Sequence, residues 1–295
     1  MKGAEKMAKK TGHVAVPFLL TIFIGLIFVG GGALAAWKYW GLGQREKPSE
    51  PIPRTDGVVT SKDNHTMLLI LETSNELCPP TFMLMRSMPV KEQVYLIGIP
   101  SNSISLVDND QMGILEKYTS QGCSGAVEYV EKVFDIKIDK YMKFTDDAFK
   151  KACDIFGGVS FPVNADIAGF KNDGSSQFLN SDQALTFVTY TMFNDGESER
   201  AFTAASVVAS MMNQTDGQYI SDTLDNSFNS IINLTESNVT ASDYKDIKPA
   251  IKYLFEHGNA FAMAISLNGT DSSEDFIPST NFIKSLKEQY FSEQE

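Results

Sequence analysis

IDKYMKFTDDAFKKACDIFGGVSFPV, Ile138 to Val163, holds two periodicities in one short run. The segment IKIDKYMKF (136–144) alternates apolar and polar residues, the pattern of a strand with unlike faces. At DDAFKKACDIF the period changes: Phe149, Ala152, Cys153 and Phe156 fall at i, i+3, i+4 and i+7, one stripe of a helix. Thr145 or Asp146 supplies the N-cap, and Gly157-Gly158 supplies the stop. The stripe makes Cys153 a small core residue rather than a redox group.

The same two periods organise the flanking sequence. TMLLILET (66–73), FMLMRSM (82–88) and QVYLIGI (93–99) read as strands, with Pro89-Val90-Lys91-Glu92 turning the second into the third. Their nearly continuous apolar character predicts a sheet covered on both faces. SGAVEYVEKVF places Val127, Val130 and Phe134 on one helical face. SDQALTFVTY reads as a helix opening on Asn180 or Ser181, and SERAFTAASVVASMM, SDTLDNSFNSIINL and NFIKSLKEQYF read as further helices. AFAMAISL is a strand, and YKDIKPAIKYLF is a helix interrupted by Pro249. Strands and helices interleave without an internal repeat, so the expected fold class is α/β, a mixed central sheet with helices on both faces.

Upstream lies VAVPFLLTIFIGLIFVGGGALAAW, Val14 to Trp37, an uncharged run long enough at ~1.5 Å per residue to cross a ~30 Å hydrocarbon layer. Trp37, Tyr39 and Trp40 sit where an interfacial aromatic belt belongs. A cleavable signal peptide is the competing reading, since Ala33-Leu34-Ala35 is a small-x-small site, but secretory apolar cores usually span only ~7 to 15 residues. Lysines 2, 6, 9 and 10 precede the span and Lys38, Arg45, Lys47 and Arg54 follow it, so flanking charge barely sets orientation. The large downstream domain does. The expectation is a cytoplasmic N-terminus at 1–13, one transmembrane helix at 14–37, a proline-bearing juxtamembrane linker at 38–58 and an extracytoplasmic domain at 59–295, in the cell membrane as a single pass.

The chain carries a net charge of -12; with +3 in residues 1–12 and +2 in 37–54 set aside, residues 55–295 carry -17. Nucleic acid and anionic lipid surfaces are poor partners for such a domain. Cys78, Cys123 and Cys153 show no CxxC spacing and no neighbouring histidine, which excludes a zinc site and limits disulfides to one. Three histidines, at 13, 65 and 257, give a histidine relay little to be built from. Sequons at Asn64, Asn213, Asn233, Asn238 and Asn268 carry weight only in a eukaryotic secretory protein. No P-loop, GxGxxG after a strand, GxSxG elbow or HExxH helix is present.

The order of the segments says more than any one of them. IDKYMKFTDDAFKKACDIFGGVSFPV is similar to the "hYYhxhDhxGFxxhVDxLGGVxVxV" region of the LytR-CpsA-Psr family, and LNSDQALTFVTY to its "LxGxQALxYVRYR" helix entry. GESERA falls where that family has "GRxERQ", DFIPSTNFIKSLKEQYF resembles its "YYxPDxxxhxxLhxxLF" ending, and LCPPTFMLMRSMPVKEQVYLIGIPSNS takes the place of its "RSDTMMLhxhxPxxxxhxhxSIPRDT" hairpin. Residues 66–291 therefore resemble this family of membrane-anchored bacterial cell-envelope proteins. The resemblance implies a phosphotransferase that moves a glycopolymer from a polyprenyl pyrophosphate carrier to peptidoglycan. Such chemistry needs forked arginines on the pyrophosphate, and acidic residues with Mg²⁺ to spread charge in the transition state.

The charged positions of that pattern are replaced one after another. Against "RSDT", the Arg and Asp fall on Cys78 and Pro80, leaving Thr81; against "IPRDT", the chain has Ser101-Asn102-Ser103. Both arginines of "RYR" become Thr189 and Thr191, and in "GRxERQ" the first Arg and the Gln become Glu197 and Ala201, leaving Glu199 and Arg200. Across residues 55–295 the only arginines are Arg86 and Arg200. Losing charged contacts at ~1.5 to 3 kcal/mol each removes most of the hold on a pyrophosphate. Arg200 with Glu199 then reads as a solvated or structural pair at a helix start, and the apolar abundance as core, with a surviving lipid cavity the alternative for the latter. Cys78 and Cys123 both fall in segments that would flank the cleft, where a disulfide would close the degenerate site.

The resulting expectation is a degenerate, non-catalytic family member without a cofactor. It acts as a binding, scaffolding or regulatory factor, with the cytoplasmic membrane, a polyprenyl-linked lipid or glycopolymer and other envelope proteins as candidate partners, and no nucleic acid. The alternative is a divergent working transferase that uses Mg²⁺ and recruits Lys117 or Lys143 with Asp108 or Asp110. A third class, an extracellular adhesin or receptor, would expose a broad apolar patch.

Overall fold

A computed structural model describes residues 53–54, 57–107, 110–272 and 274–292. The expected membrane span and most of the linker lie outside these residues. Among the described residues no helix is long and apolar enough to cross a membrane.

Two short strands, β1 (Pro53–Arg54) and β2 (Gly57–Val58), pair antiparallel and lead into β3 (His65–Leu71), β4 (Thr81–Met88) and β5 (Gln93–Ile99). A hairpin of β6 (Ile104–Val107) and β7 (Asp110–Gly113) precedes helices α1 (Ile114–Gln121) and α2 (Cys123–Phe134). Strand β8 (Lys140–Phe144) and helix α3 (Asp146–Phe156) follow, then the hairpin β9 (Val159–Pro162) and β10 (Ser176–Leu179). Helices α4 (Ser181–Val188), α5 (Gly196–Gln214) and α6 (Gly217–Ile232) run on to β11 (Thr235–Ser237) and α7 (Ala241–His257). The chain then forms β12 (Ala262–Ile265), the hairpin β13 (Gly269–Asp271) and β14 (Phe276–Pro278), and α8 (Thr280–Leu286), which continues as a π-turn over Lys287–Phe291.

Six strands make one mixed sheet in the order β11-β8-β3-β4-β5-β12. β3, β4 and β5 form an antiparallel meander, β8 joins β3 and β12 joins β5 in parallel, and β11 closes the far edge antiparallel to β8. Strand alternation divides the core between the two faces. Leu68, Ile70, Phe82, Leu84, Ile97 and Ile99 pack with residues of α1, α2 and α8, whereas Leu71, Met83, Val94 and Leu96 pack with residues of α3, α4, α5 and α7. The expected double-faced sheet is therefore present.

Local chemistry settles the open helix ends. Thr145 caps α3 by accepting the Ala148 N–H, and Gly157 ends it at φ 84°. Asn180 opens α4 in a reciprocal capping box with Gln183. Pro249 does not interrupt α7, which runs through it from a Thr240/Asp243 capping box. A proline ring forfeits one backbone donor and crowds the preceding turn; capping and the buried Ala250, Tyr253 and Leu254 hold the helix across it. The short hairpins β6–β7, β9–β10 and β13–β14 were not legible as strands, being too brief to show a period.

The seating of α5 on β5 is unusually close. A Cβ at Gly98 would stand 2.0 Å from the Ala201 carbonyl oxygen, so the helix backbone rests directly on the strand. Because the obstacle is backbone, it cannot rotate away. Gly98→Ala is expected to cost about 1–3 kcal/mol in urea denaturation, whereas Gly113→Ala, whose Cβ meets nothing nearer than 3.5 Å, stays close to wild type. Equal midpoints for both variants would refute the close seating.

Candidate functional site

The sheet topology brings the C-terminal ends of β3, β5, β8 and β12 to the same edge as the start of β4. Crevices at such edges are where open α/β sheets place ligands. Two polar clusters lie there.

The first surrounds Arg200, in the second turn of α5 and only 1% exposed. Its Nε donates to Glu197 Oε1 at 2.8 Å and its Nη2 to Glu197 Oε2 at 2.7 Å, a forked pair. Nη1 donates to Thr81 Oγ1 at 2.6 Å and reaches Cys78 Sγ at 3.8 Å, while Nη2 also donates to the Pro80 carbonyl at 3.3 Å. Every one of the guanidinium's N–H donors has an acceptor inside the chain. Glu197 in turn accepts the Ser101 hydroxyl at 2.6 Å. Burial pushes the Glu197 carboxyl up, but the hydrogen bond and charge of Arg200 and the hydrogen bonds from Ser101 outweigh it and hold the group below its ordinary value.

Arg200 thus has a different partner and setting from those expected. Its carboxylate is Glu197, not Glu199, which instead accepts the Asp195 N–H at 2.9 Å, and the pair is buried rather than solvated. The fold brings Cys78, Pro80, Thr81, Ser101, Glu197 and Arg200 together. Asn102 and Ser103 follow Ser101 on the same turn: Asn102 Nδ2 donates to the Glu274 carbonyl at 3.1 Å, and its carbonyl accepts the Phe276 N–H. Asn102 Oδ1 and Ser103 Oγ are buried without a hydrogen-bond partner of good geometry. Ala201 is a core contact under Gly98. Thr189 turns its hydroxyl back to Leu185 at 2.8 Å and Thr191 is exposed, so neither joins the cluster.

The second cluster lies over β3, β8 and β11. Lys143 Nζ is 2.7 Å from Glu236 and 3.2 Å from Glu72. The Glu236 hydrogen bond, opposed by partial burial and aided by Glu72, raises the Lys143 ammonium above its ordinary value. Tyr118 of α1 and Cys123 of α2 complete it, the Cys123 thiol standing 3.6 Å from Glu236 Oε1. Glu72, Glu236 and Tyr118 were missed in the sequence, where nothing marks residues so far apart in the chain as neighbours.

Whether Cys78 and Cys123 are bridged was open in the sequence; here all three cysteines are free and buried. Cys78 meets Arg200 over β4 and Cys123 meets β11, with β8 and β3 lying between at about 4.7–4.9 Å per strand. Burial pushes the Cys78 thiol up, with Arg200 pulling the other way, and burial raises Cys123 to about 11, so both are thiols at neutral pH.

The lysines considered for a rebuilt cation set are already paired, Lys117 with Glu128 at 3.0 Å and Lys143 with its two carboxylates. Asp108 lies outside the described residues, as does the side chain of Asp110. Arg86 sits at the other end of β4, donating to Thr66 at 2.8 Å and to the Tyr290 carbonyl at 3.2 Å. Mg²⁺ finds a poor donor set around Arg200: Pro80 and Asn102 stand at the acidic positions of the family pattern, and Glu197 is held by Arg200 and Ser101. Among the described residues no group of three or more His, Cys, Asp or Glu gathers to hold a metal.

Known structures share this architecture. A proposed transcription regulator from Eubacterium siraeum superimposes with a TM-score of 0.68 at 21% identity, over 82% of this chain and 98% of that one. TagV of Bacillus subtilis gives 0.63 at 17% identity over 80% of this chain and 100% of its own, and TagT bound to LIIa-WTA gives 0.61 at 15% over 82% and 94%. At these identities the likeness is one of fold. An uncharacterized protein of Staphylococcus aureus is 25% identical over 167 residues, 52% of this chain and 40% of that relative's length. A sequence model described as the LytR_cpsA_psr family matches residues 79–288, from just before β4 through α8 and including Arg200 and Glu197, and the chain belongs to that family.

Proposed function

We propose that the protein is a membrane-anchored, extracytoplasmic member of the LytR-CpsA-Psr family that does not catalyse transfer. In this reading it serves as a binding, scaffolding or regulatory factor in the assembly of bacterial cell-envelope glycopolymer. The observation that carries the reading is the fork between Glu197 and Arg200. The one arginine retained at an aligned charged position already holds a carboxylate in the geometry a phosphate would need. A pyrophosphate would have to displace that carboxylate and then sit beside it, adding like charge to a desolvated site.

The surroundings support the same reading. Ser101, Asn102 and Ser103 offer neutral groups where the family pattern has an arginine and an aspartate, and Lys143 is flanked by two carboxylates. TagT, which shares the fold, is seen bound to LI-WTA and to LIIa-WTA. That favours an envelope polymer or its carrier as the partner class here. The uncharged run 14–37 favours attachment to the cytoplasmic membrane with the domain outside.

Incubated in nanodiscs with a polyprenyl-pyrophosphate-linked glycan, peptidoglycan fragments and Mg²⁺, the full-length protein is expected to leave the donor intact. Transfer to peptidoglycan, or hydrolysis of the pyrophosphate above the blank, would overturn the proposal.

The Glu197–Arg200 pair also predicts a pH signature. Because the folded carboxyl lies below its ordinary value of 4.5, its stabilisation is present above 4.5 and is lost as pH falls through the lower folded value. Glu197→Ala, which leaves a buried guanidinium without its carboxylate, should cost about 3 kcal/mol at pH 7. Urea denaturation should show that gap shrinking at pH 3; a gap of the same size at both pH values would exclude the assigned pairing.

A further inference from the structure

Two hairpins meet where the chain enters β6. Ser103 bridges in parallel to Phe276 of β14, and the Asn102 carbonyl accepts the Phe276 N–H at 3.1 Å. The bridge sets the hairpins side by side in the order β7-β6-β14-β13. Strand alternation gives this layer two unlike faces. Ser103, Met112 and Phe276 are buried, the last two within the core shared with α1, α2 and α8. Their neighbours turn outward: Leu106 is 76% exposed and Ile277 52%. Ile104 lies on the same side, opposite Gly113, which has no side chain to cover it. Gln111, paired with Leu106, and Thr270, paired with Ile277, are exposed at either flank. A single exposed leucine is ordinary, but three aliphatic chains on one sheet face with polar flanks have the make-up of a contact surface.

Charge decides what can cover that face. Segments 101–116 and 266–283, which supply every residue of both hairpins, hold six acidic residues and no lysine, arginine or histidine. Glu116, Asp271 and Glu274 among them are exposed. A second copy of the chain would set acid against acid, and an anionic lipid surface would be repelled. A polypeptide that carries lysine or arginine beside aliphatic side chains meets both demands. Its aliphatic groups cover Leu106, Ile104 and Ile277, and its cations answer the surrounding carboxylates.

We propose that the outward face of the β6–β7 and β13–β14 hairpins, centred on Leu106 and Ile277, docks a protein partner whose contact segment is basic and aliphatic. The surface lies outside the Arg200 cluster, so the inference goes beyond the non-catalytic reading and stands whether or not transfer occurs. The probe is the fluorescein-labelled heptapeptide KVKVKVK, titrated by anisotropy into the full-length protein in zwitterionic nanodiscs, with empty nanodiscs as the blank. Saturable binding is expected, weakened about tenfold or more when Leu106→Ser and Ile277→Ser are combined. Both side chains are exposed, so the double variant should keep the wild-type urea midpoint. Glu116→Gln with Glu274→Gln, which keeps the aliphatic face, should weaken binding about threefold or more. Leu234→Ser, at an exposed leucine just before β11, should leave it unchanged. KSKSKSK and EVEVEVE, each lacking one half of the match, should bind at least tenfold more weakly. No saturable binding, equal affinity in the Leu106/Ile277 double variant and wild type, or equal affinity for KSKSKSK would overturn the surface. Self-association of the wild type that the double variant abolishes would overturn it too, by placing a second copy there.

Discussion

A buried guanidinium must be answered in full, and at this sheet edge the answer ties three elements together. Arg200 and Glu197 come from the start of α5, Thr81 and Pro80 from the entry to β4, and Ser101 from the turn after β5. Removing the carboxylate or a hydroxyl from that set leaves charge or donors unmet around a buried guanidinium.

The height of that cluster is set by a contact with no polar character. Gly98 lets the α5 backbone settle on β5, and the Ala201 carbonyl occupies the space a side chain would need. Helix α5 therefore starts low over the strand ends, which brings residue 200 within reach of Thr81. Strand alternation does the rest. Leu96 and Ile97 face opposite cores, so a register slip of one residue would exchange the two packed faces and lift α5 from its seat.

Much of this was legible in the sequence because it is written in long periods. The apolar stripes of residues 66–99 and the caps at Thr145 and Asn180 specified a two-faced sheet and its flanking helices. Hairpins three or four residues long carry too few side chains to show a period, and Pro249 looked like a break because propensity ignores the packing beneath it. The charge pattern was harder. Compared position by position with a family pattern, Glu197 registers only as an absent arginine, although its spacing of three residues from Arg200 is itself a pairing signal on a helix. The cysteine pairing stayed open for a different reason: both residues fall near the strand ends, but sequence gives no measure of how many strands separate them.

The edge also has a consistent electrical character that no single substitution explains. The domain from residue 55 onward carries -17, and its two arginines point their charge inward, one to Glu197 and Thr81, the other to Thr66 and the Tyr290 carbonyl. Lys143, near the end of β8, stands between Glu72 and Glu236. An anion approaching this edge meets neutralised cations and a repulsive background field. Hydroxyls, amides and aromatic edges feel that field only weakly, since their hydrogen bonds do not require net charge. With serine, threonine, cysteine and glutamate where the family pattern carries arginine, the hydrogen-bonding groups added at this edge are mostly neutral, and the one added charge, Glu197, is taken up by Arg200.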